Sequence, residues 1–388
     1  METGKGWTGG PRVRAASCRQ TQPEAAAAEL AAALAQPDVG LVIVFASSTF
    51  ELDRLGPALR DKFGSSTLIG CTTAGEIGPA GYLEGSLSGV SIHRDDLIFE
   101  VAVVEDLSHI KFGACQIAAH KLKESLRQRV PHLAPENAFA LMLIDGLCVR
   151  EEVVARAFYD GLGGIALVGG SAGDDLAFKE TKVMRDGHFV SDAALLLLAA
   201  TRFPFAVFKT QHFICSDERL VVTGAIPERR IVTEINGCPA AAEYAGAVGV
   251  ELDRLDPMIF ASHPVMVQIG NADFVRSIQK VNPDGSLTFY CAIDEGIVFK
   301  VATGVDMIAN LAATLDTVKK RVGPPSLILG CDCILRHLEL KQRGTREQIG
   351  AMMASCNVVG FSTYGEQYCG MHVNQTFVGV AIGAGRRA

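Results

Sequence analysis

Two similar turns, Gly75-Glu76 and Gly365-Glu366, place a carboxylate beside a glycine after an apolar run. Glycine tolerates a positive φ and lets a ligand or another backbone approach closely. His372 and Asn374 follow the second turn, and they share one face if that segment is extended. We therefore expect a small-ligand pocket at these turns, lined by Gly75, Glu76, Gly365, Glu366 and Asn374.

Cysteine thiols offer two other chemistries. Cys331 and Cys333 are two positions apart, which is tighter than the usual zinc spacing, so a metal site would need Cys71, Cys369 or His372 as further ligands. Cys71 could also be a thiol nucleophile, although a cysteine after glycine is more often a small packed residue. No phosphate-loop, dinucleotide-loop or kinase phrase is present. We therefore expect a protein that is not an enzyme.

The apolar runs around the turns predict the elements that position them. The phrase at 67–76 recurs at 357–366, and Val168–Asp174 is a weaker third copy. Each copy follows an earlier apolar run and a helical stretch, such as Glu51–Phe63 or Glu151–Leu162, and precedes a third apolar run. This pattern predicts an α/β (α+β) fold of duplicated strand-helix-strand layer units, with strands buried on both faces. The two Gly-Glu turns should lie at corresponding ends of related sheets.

The character of the chain changes near Phe203, which divides it into two predicted domains. Residues 1–22 form a flexible lead, residues 23–203 a first domain, and residues 204–388 a β-rich second domain. Patterns in the second domain predict strands at Phe208–Phe213, Leu220–Thr223, Arg230–Ile235 and Ser286–Cys291, and a helix at Pro239–Ala247.

Composition narrows the class of protein. The chain has 388 residues, of which 48% are hydrophobic and 20% charged, so it is not a disordered protein. A net charge of −7 argues against a nucleic-acid partner. The 11 cysteines fit free thiols in a reducing compartment better than a disulfide framework. No signal peptide or membrane-spanning run is recognisable, and we expect a cytoplasmic protein.

Several phrases resemble a known family. The turn around Gly70–Ile77, together with Arg276–Ile278, Leu329–Arg336 and Gly365–Thr376, is similar to the FIST sensory proteins, with FIST N and FIST C domains, over about residues 24–384. The phrases around Cys331 and His372 look most like the NosP group of bacterial haem-containing nitric-oxide sensors. The resemblance implies a non-catalytic sensor with haem b bound through a histidine, which controls a partner histidine kinase and its phosphorelay in a two-component system.

A haem ligand needs a neutral imidazole in an apolar pocket. His372 is the first candidate for the haem iron, and His212 and His263 follow it. Each could equally be a buried histidine satisfied by its neighbours. We expect His337 at the surface of a helix and the remaining histidines, His93, His109, His120, His132 and His188, in solvent.

Three functions thus stay open at this point. The first is a haem-based nitric oxide sensor, and the second is a haem-free sensor of a small, amino-acid-like metabolite. The third is a thiol-dependent enzyme.

Overall fold

A computed structural model of the chain describes residues 10–269 and 272–385. Three units share the element order strand, helix, strand, helix, strand, hairpin, strand, except that two helices stand at the second helical position of the third unit. Unit 1 comprises β1 (Val13–Cys18), α1 (Pro23–Leu34), β2 (Val39–Ser47), α2 (Leu52–Phe63), β3 (Thr67–Thr73), β4 (Glu76–Gly78), β5 (Gly81–Leu83) and β6 (Leu87–His93). Unit 2 comprises β7 (Ile98–Glu105), α3 (Phe112–Arg129), β8 (Ala138–Ile144), α4 (Glu151–Leu162), β9 (Ala166–Ser171), β10 (Val183–Arg185), β11 (His188–Val190) and β12 (Ala193–Ala200).

Unit 3 begins with β13 (Phe205–Thr210) and is interrupted by an inserted β-rich segment, called the insert below. The insert comprises β14 (Phe213–Ile226), β15 (Ile231–Ile235), β16 (Cys238–Pro239), α5 (Ala240–Val248), α6 (Pro257–Ser262), β17 (Val265–Ile269), β18 (Ala272–Arg276), β19 (Ile278–Val281), β20 (Leu287–Phe289) and β21 (Val298–Gly304). Unit 3 then continues with α7 (Met307–Val322), β22 (Pro325–Cys333), α8 (Ile334–Arg343), α9 (Arg346–Ser355), β23 (Val358–Thr363), β24 (Glu366–Tyr368), β25 (Met371–Val373) and β26 (Phe377–Gly383).

The three units exchange their hairpins in a cycle. Each unit builds a sheet from its four long strands, and the fifth and sixth strands come from the hairpin of another unit. Hairpin β4–β5 of unit 1 pairs with β23 of unit 3, and hairpin β24–β25 of unit 3 pairs with β9 of unit 2. Hairpin β10–β11 of unit 2 completes the cycle by pairing with β3 of unit 1. Each of these three sheets therefore depends on a second unit.

The register confirms that the two Gly-Glu turns are equivalent. Glu76 pairs with Phe361 on β23, and Glu366 pairs with Gly170 on β9. Each glutamate is the first residue of its hairpin and lies at the same end of a parallel strand pair. In the weaker copy a longer loop, 172–182, replaces the Gly-Glu turn before β10 begins.

The sheets are buried on both faces, as the sequence predicts. Their inner faces pack together in one apolar core, where the rings of Phe45 and Phe361 stack at 4.9 Å between centroids. Helices α1 and α2, α3 and α4, and α7 and α9 cover the outer faces of the three sheets in turn. Every residue of β8 and β12 is buried. The mixed α/β fold class is confirmed.

The insert forms its own sheet, in the strand order β18-β17-β21-β14-β15-β20-β19, around an apolar core that includes Tyr244 and Phe260. Its predicted strands and helix occur, but the continuous strand predicted at Phe208–Phe213 is wrong. Strand β13 ends at Thr210 and β14 begins at Phe213. His212 lies between the two strands, and its buried side chain contacts Arg336 and Glu339 of α8.

The boundary at residues 203 and 204 stays a prediction. Two of the sheets contain strands from both sides of it, since β4–β5 joins β23 and β24–β25 joins β9. Within the described parts of the chain, no helix combines the length and apolar character that a bilayer crossing requires.

Candidate functional site

Hairpin β24–β25 carries a group of buried polar side chains where it meets the insert. This amide cluster consists of Gln367, His372 and Asn374, which are 0%, 3% and 0% exposed. His372 Nε2 lies 3.3 Å from the carbonyl oxygen of Tyr290, and His372 Nδ1 lies 3.3 Å from Gln367 Nε2. The amide of Gln367 also donates to Ser171 Oγ at 2.9 Å. These contacts assign the proton to Nε2 and agree with burial, which lowers the pKa of His372.

Several polar atoms of this region are buried with no hydrogen-bond partner among the described residues. Asn374 lacks a partner for both Nδ2 and Oδ1. Gln367 Oε1, Glu366 Oε1 and Gln375 Oε1 are also unpartnered, as is Ser277 Oγ on the insert side. Most buried polar atoms in folded proteins have partners, and each exception needs an explanation. A polar ligand or ordered water that bonds to these atoms supplies one.

The equivalent hairpin of unit 1 shows that the fold does not require these polar residues. The register places Ile77 where unit 3 has Gln367, and Tyr82 where unit 3 has His372. Ile77 is fully buried and packs in an apolar cluster. The amide cluster is therefore a property of unit 3 and is not needed to build this hairpin.

The two glutamates that open the hairpins are both buried but differ in their contacts. Glu76 accepts hydrogen bonds from Thr73 Oγ1 at 2.5 Å and from the backbone N–H and hydroxyl of Ser86. Glu366 accepts the equivalent pair from Thr376, and its Oε1 has no partner. Burial raises the pKa of Glu76 to about 7 and raises that of Glu366 well above its ordinary range. Burial therefore favours the neutral form of the Glu366 carboxyl.

The glycines before these glutamates are required for two reasons, backbone conformation at Gly75 and close packing at Gly365. Gly75 has a φ of 124°, which strongly favours glycine. A Cβ on Gly365 would collide with the ring of His372 and contact Asn374 Nδ2 at 3.1 Å. The predicted pocket residues Gly365, Glu366 and Asn374 therefore lie together with His372. Gly75 and Glu76 form the equivalent turn, which pairs with β23.

A cavity of about 120 Å³, called the arginine cavity below, opens beside the amide cluster. Tyr290, whose carbonyl accepts from His372, also lines this cavity. Phe178 stacks on Tyr364 at 4.8 Å between ring centroids, and the Tyr364 hydroxyl contacts Asp174. The other lining residues are Gly146, Leu147, Val149, Glu151, Arg229, Arg230, Gln279, Thr288 and Phe289.

A buried ion cluster ties the insert to unit 2 at the edge of this cavity. Arg230 Nη2 lies 2.5 Å from Glu151 and 2.7 Å from Glu152, at the beginning of α4. Arg230 Nη1 donates to the Tyr290 carbonyl at 2.8 Å, and Glu152 accepts the backbone N–H of Ala292. The cavity, the amide cluster and this ion cluster thus converge at one interface between the units and the insert.

Comparison with protein families identifies this architecture. A model of the FIST N domain matches residues 40–238, and a model of the FIST C domain matches residues 240–369. The chain belongs to the FIST family. FIST domains are sensory domains of signal transduction rather than catalytic ones. The ion cluster joins Glu151, Glu152 and Arg230 in the FIST N match to Tyr290 in the FIST C match, and His372 and Asn374 follow directly after the end of the FIST C match.

One relative of this FIST protein is an uncharacterized protein of Methanocaldococcus jannaschii. The two chains are 23% identical over 299 residues, which is 72% of the present chain and 57% of the archaeal protein. The match thus spans less than two thirds of that relative's length. The further resemblance to the NosP group stays a prediction.

The three histidines expected to bind haem lie in three different networks of the FIST fold. His212 is fully buried, with Nδ1 3.0 Å from Arg336 Nη1 and Nε2 2.8 Å from Glu339 Oε2. Both of its ring nitrogens are therefore engaged. His263 is half-buried after α6, and its Nδ1 lies 3.0 Å from the hydroxyl of Ser262.

The described geometry does not fit haem at His372. Both ring nitrogens contact protein atoms, so neither is available to an iron without rearrangement. The adjacent cavity of about 120 Å³ is well below the ~300–1,000 Å³ typical of pockets for larger ligands, and a porphyrin is a large ligand. Haem binding stays a prediction that rests on the resemblance alone.

The thiols expected to offer metal or nucleophile chemistry are enclosed. Cys71, Cys331 and Cys333 are buried, and burial raises the pKa of each thiol well above its ordinary value. A thiol in an apolar core is inert compared with an exposed thiolate. Among the described residues, no three or more histidine, cysteine or acidic side chains are grouped to hold a metal ion.

Two expectations about histidine exposure are wrong. His337 is 1% exposed, because α8 packs it against Ser362 Oγ and Glu84 Oε1. His93 is 5% exposed and contacts Arg12. The other four, His109, His120, His132 and His188, are exposed as expected.

Sequence reasoning missed Gln367, Tyr290, Arg230 and Tyr364. For Gln367 a signal existed, because the repeated phrases read Gly-Glu-Ile in unit 1 and Gly-Glu-Gln in unit 3. A polar residue in place of a core isoleucine marks the site. Tyr364 stands directly before Gly365 in the same phrase, where unit 1 has Ala74, so a comparison of the repeats could have found it too. Tyr290 and Arg230 come from the insert, and no local pattern links them to the hairpin.

Proposed function

We propose that this FIST protein is a sensor of a small polar molecule, bound where hairpin β24–β25 meets the insert. The observation that carries the proposal is Asn374, which is fully buried with both amide atoms unpartnered. Leaving buried polar groups unsatisfied costs about 1–3 kcal/mol each. A ligand that bonds to the amide recovers this cost and gains affinity from it.

The unpartnered atoms indicate the chemistry of the ligand. Gln367 Oε1 and Gln375 Oε1 accept hydrogen bonds, and Asn374 can both accept and donate. Burial raises the pKa of Glu366 and so disfavours a negative charge at the site. This set favours a ligand with N–H or O–H donors, which is the haem-free, amino-acid-like alternative from the sequence.

The location of the site supports a sensory output. The amide cluster belongs to unit 3, the cavity wall at Glu151 to unit 2, and Tyr290 and Arg230 to the insert. A ligand held between these parts binds one arrangement of them more tightly than another. The free energy that couples ligand binding to partner binding is typically about 1–3 kcal/mol. We propose that the partner is a histidine kinase, which reads the position of the insert by contact.

Ligand binding is tested by thermal unfolding of the purified protein against a panel of amino acids and related polar metabolites. A true ligand raises the unfolding temperature in proportion to its saturation. We expect Gln367→Ile and Asn374→Ala to abolish this rise. Asn137→Ala removes an asparagine far from the site and should keep it. An equal ligand-induced rise in unfolding temperature in the wild type and all three variants would show that the ligand binds elsewhere.

The output is tested by the autophosphorylation rate of the partner kinase. The rate should differ between the free and ligand-saturated protein, and Asn374→Ala should respond as the free form does. Identical rates at saturating concentrations of the complex would leave the sensor without an output to this kinase. The nitric oxide response implied by the resemblance is measured in the same assay with the haem and nitrosyl forms.

A further inference from the structure

The arginine cavity carries a charge pattern that the amide cluster does not. Its volume of about 120 Å³ equals the share of roughly four liquid water molecules, so it accommodates a small group rather than a whole large ligand. The charged side chains that line it are Arg229, Arg230 and Glu151. Arg230 is paired with Glu151 and with Glu152, which lies just outside the lining, so Arg229 is the guanidinium of the cavity that makes no ion pair among the described residues.

Arg230 is a buried cation with unused hydrogen-bonding capacity. The residue is 7% exposed, and its Nη atoms bond to Glu151, Glu152 and the Tyr290 carbonyl. Its Nε has no hydrogen-bond partner among the described residues. A guanidinium presents five N–H donors, and an unpaired buried donor is costly. The unpaired Nε therefore points to an acceptor that the protein does not itself provide.

Arg229 adds an available guanidinium at the mouth of the cavity. It is exposed and lines the cavity, and it forms no ion pair within 4.0 Å among the described residues, although, after the hydrogen bonds from Ser286, its charge helps to lower the pKa of Asp284. It follows β14 in a short 3₁₀ turn, Pro227–Arg229, so the backbone fixes it next to Arg230. Two adjacent arginines suit a planar, bidentate oxyanion better than a neutral group.

The beginning of α4 adds a partial positive charge to the cavity. The helix has 12 residues, and its N-cap residue Arg150 makes no side-chain capping bond. Its first N–H groups therefore lack that partner and carry the positive end of the helix dipole. Val149 and Glu151, on either side of the cap, both line the cavity. The carboxylates of Glu151 and Glu152 in the first turn are both paired with Arg230, so the helix dipole and Arg229 act on a group that enters the cavity.

We propose that the arginine cavity binds the carboxylate of the sensed molecule, with Arg229 as its exposed contact and Arg230 as its buried one. This inference rests on the proposed function and names the ligand class. The donors of the ligand then face the amide cluster, and its carboxylate faces the arginines. The small volume, and Arg229 as the one arginine of the cavity without an ion pair among the described residues, favour a carboxylate over a phosphate dianion.

The test compares short carboxylates with their primary amides, which have nearly the same shape but no charge. Acetate, propionate and succinate, acetamide, propionamide and succinamide, and inorganic phosphate are titrated into the full chain by calorimetry. We expect the carboxylates to bind and the amides to bind at least about tenfold more weakly, as expected for loss of a charge-assisted bond. Arg229→Gln should weaken carboxylate binding about tenfold or more. Arg254→Gln, a matched change at an exposed arginine outside the cavity, should not.

The outcomes separate this inference from the proposed function. Equal binding of acids and amides, unchanged binding in Arg229→Gln, tighter binding of phosphate, or no binding of any probe would each overturn the carboxylate assignment. An Asn374-dependent ligand found in the metabolite panel would still support the sensor. Carboxylate binding that depends on Arg229 but not on Asn374 would uphold the cavity and remove the amide cluster from the site.

Discussion

Glu76 and Glu366 occupy the same position in two units, and each holds the residue ten places later. Glu76 Oε2 accepts from the backbone N–H of Ser86 at 3.1 Å and from its hydroxyl at 2.5 Å. Glu366 Oε2 accepts the same two bonds from Thr376 at 3.0 and 2.6 Å. The other carboxyl oxygen differs, since Thr73 donates a hydroxyl to that of Glu76, whereas Glu366 has no such hydroxyl donor for its Oε1 and has only the weak thiol donor of Cys333 besides Thr376. One glutamate is structural, and the other has capacity left for a ligand.

The buried Glu76 gives the first prediction, on pH dependence. Burial raises its pKa from 4.5 to about 7, so the folded protein keeps a proton that the unfolded chain loses above about pH 4.5. Stability from this group is therefore present at low pH and declines as pH rises to about 7, by about 3 kcal/mol. In Glu76→Gln, which stays neutral, the free energy of unfolding should lack this decline.

The measurement is urea unfolding of both proteins between about pH 4.5 and 8. The difference in free energy, variant minus wild type, should rise with pH and level off above about 7. Glu347→Gln, at an exposed position, is the control and should run parallel to the wild type. A Glu76→Gln curve that also runs parallel would contradict the buried, protonated state of Glu76.

The second prediction concerns Asp332, which is fully buried between units 1 and 3. It accepts from Tyr82 Oη at 2.6 Å and from Arg336 Nε at 2.7 Å. Because Arg336 is fully buried, Asp332→Ala leaves an uncompensated charge and should cost about 3–5 kcal/mol. Tyr82→Phe removes one hydrogen bond and should cost about 1 kcal/mol.

Chemical denaturation measures both changes. Asp160→Ala, which breaks the surface ion pair with Arg156, should cost less than about 1 kcal/mol. A similar small cost for Asp332→Ala would mean that Arg336 finds another partner, and the network would not be needed to join the units.

The third prediction separates haem from a smaller ligand. Haem at His372 requires that the ring leave the Tyr290 carbonyl or Gln367, and that the hairpin move from the insert. If the protein keeps this conformation, we expect no stoichiometric Soret band when haemin is titrated into it. A one-to-one band that His372→Ala abolishes, with unchanged circular dichroism, would confirm the haem expectation and require that rearrangement.

The repeat units could be predicted from sequence because each is local. Runs such as 138–144 are apolar throughout, and the helix predicted at Glu151–Leu162 matches α4 residue for residue. The order of elements follows directly from these patterns. The hairpin exchange could not be predicted, because the pairing of Glu76 with Phe361 joins residues that no local pattern connects.

One wall of the site could be predicted because its residues are neighbours in the sequence. Glu366, His372 and Asn374 lie within one short phrase, and alternation along a strand places the last two on one face. The opposite wall comes from Tyr290 and Arg230 in the insert, whose docking depends on the ion pairs with α4. Single-sequence patterns carry no information about such a contact.

The central claim is that the buried Asn374 amide serves ligand binding and lowers the stability of the ligand-free protein. The free energy of unfolding without ligand tests this claim most directly. Asn374→Ala removes two unpartnered polar atoms and should leave stability equal to the wild type or higher by about 1–2 kcal/mol. Asn137→Ala breaks satisfied bonds to His132 and Ala134 and should lower it by about 1–2 kcal/mol. A loss in Asn374→Ala as large as in Asn137→Ala would show that the amide is structural and would contradict the account.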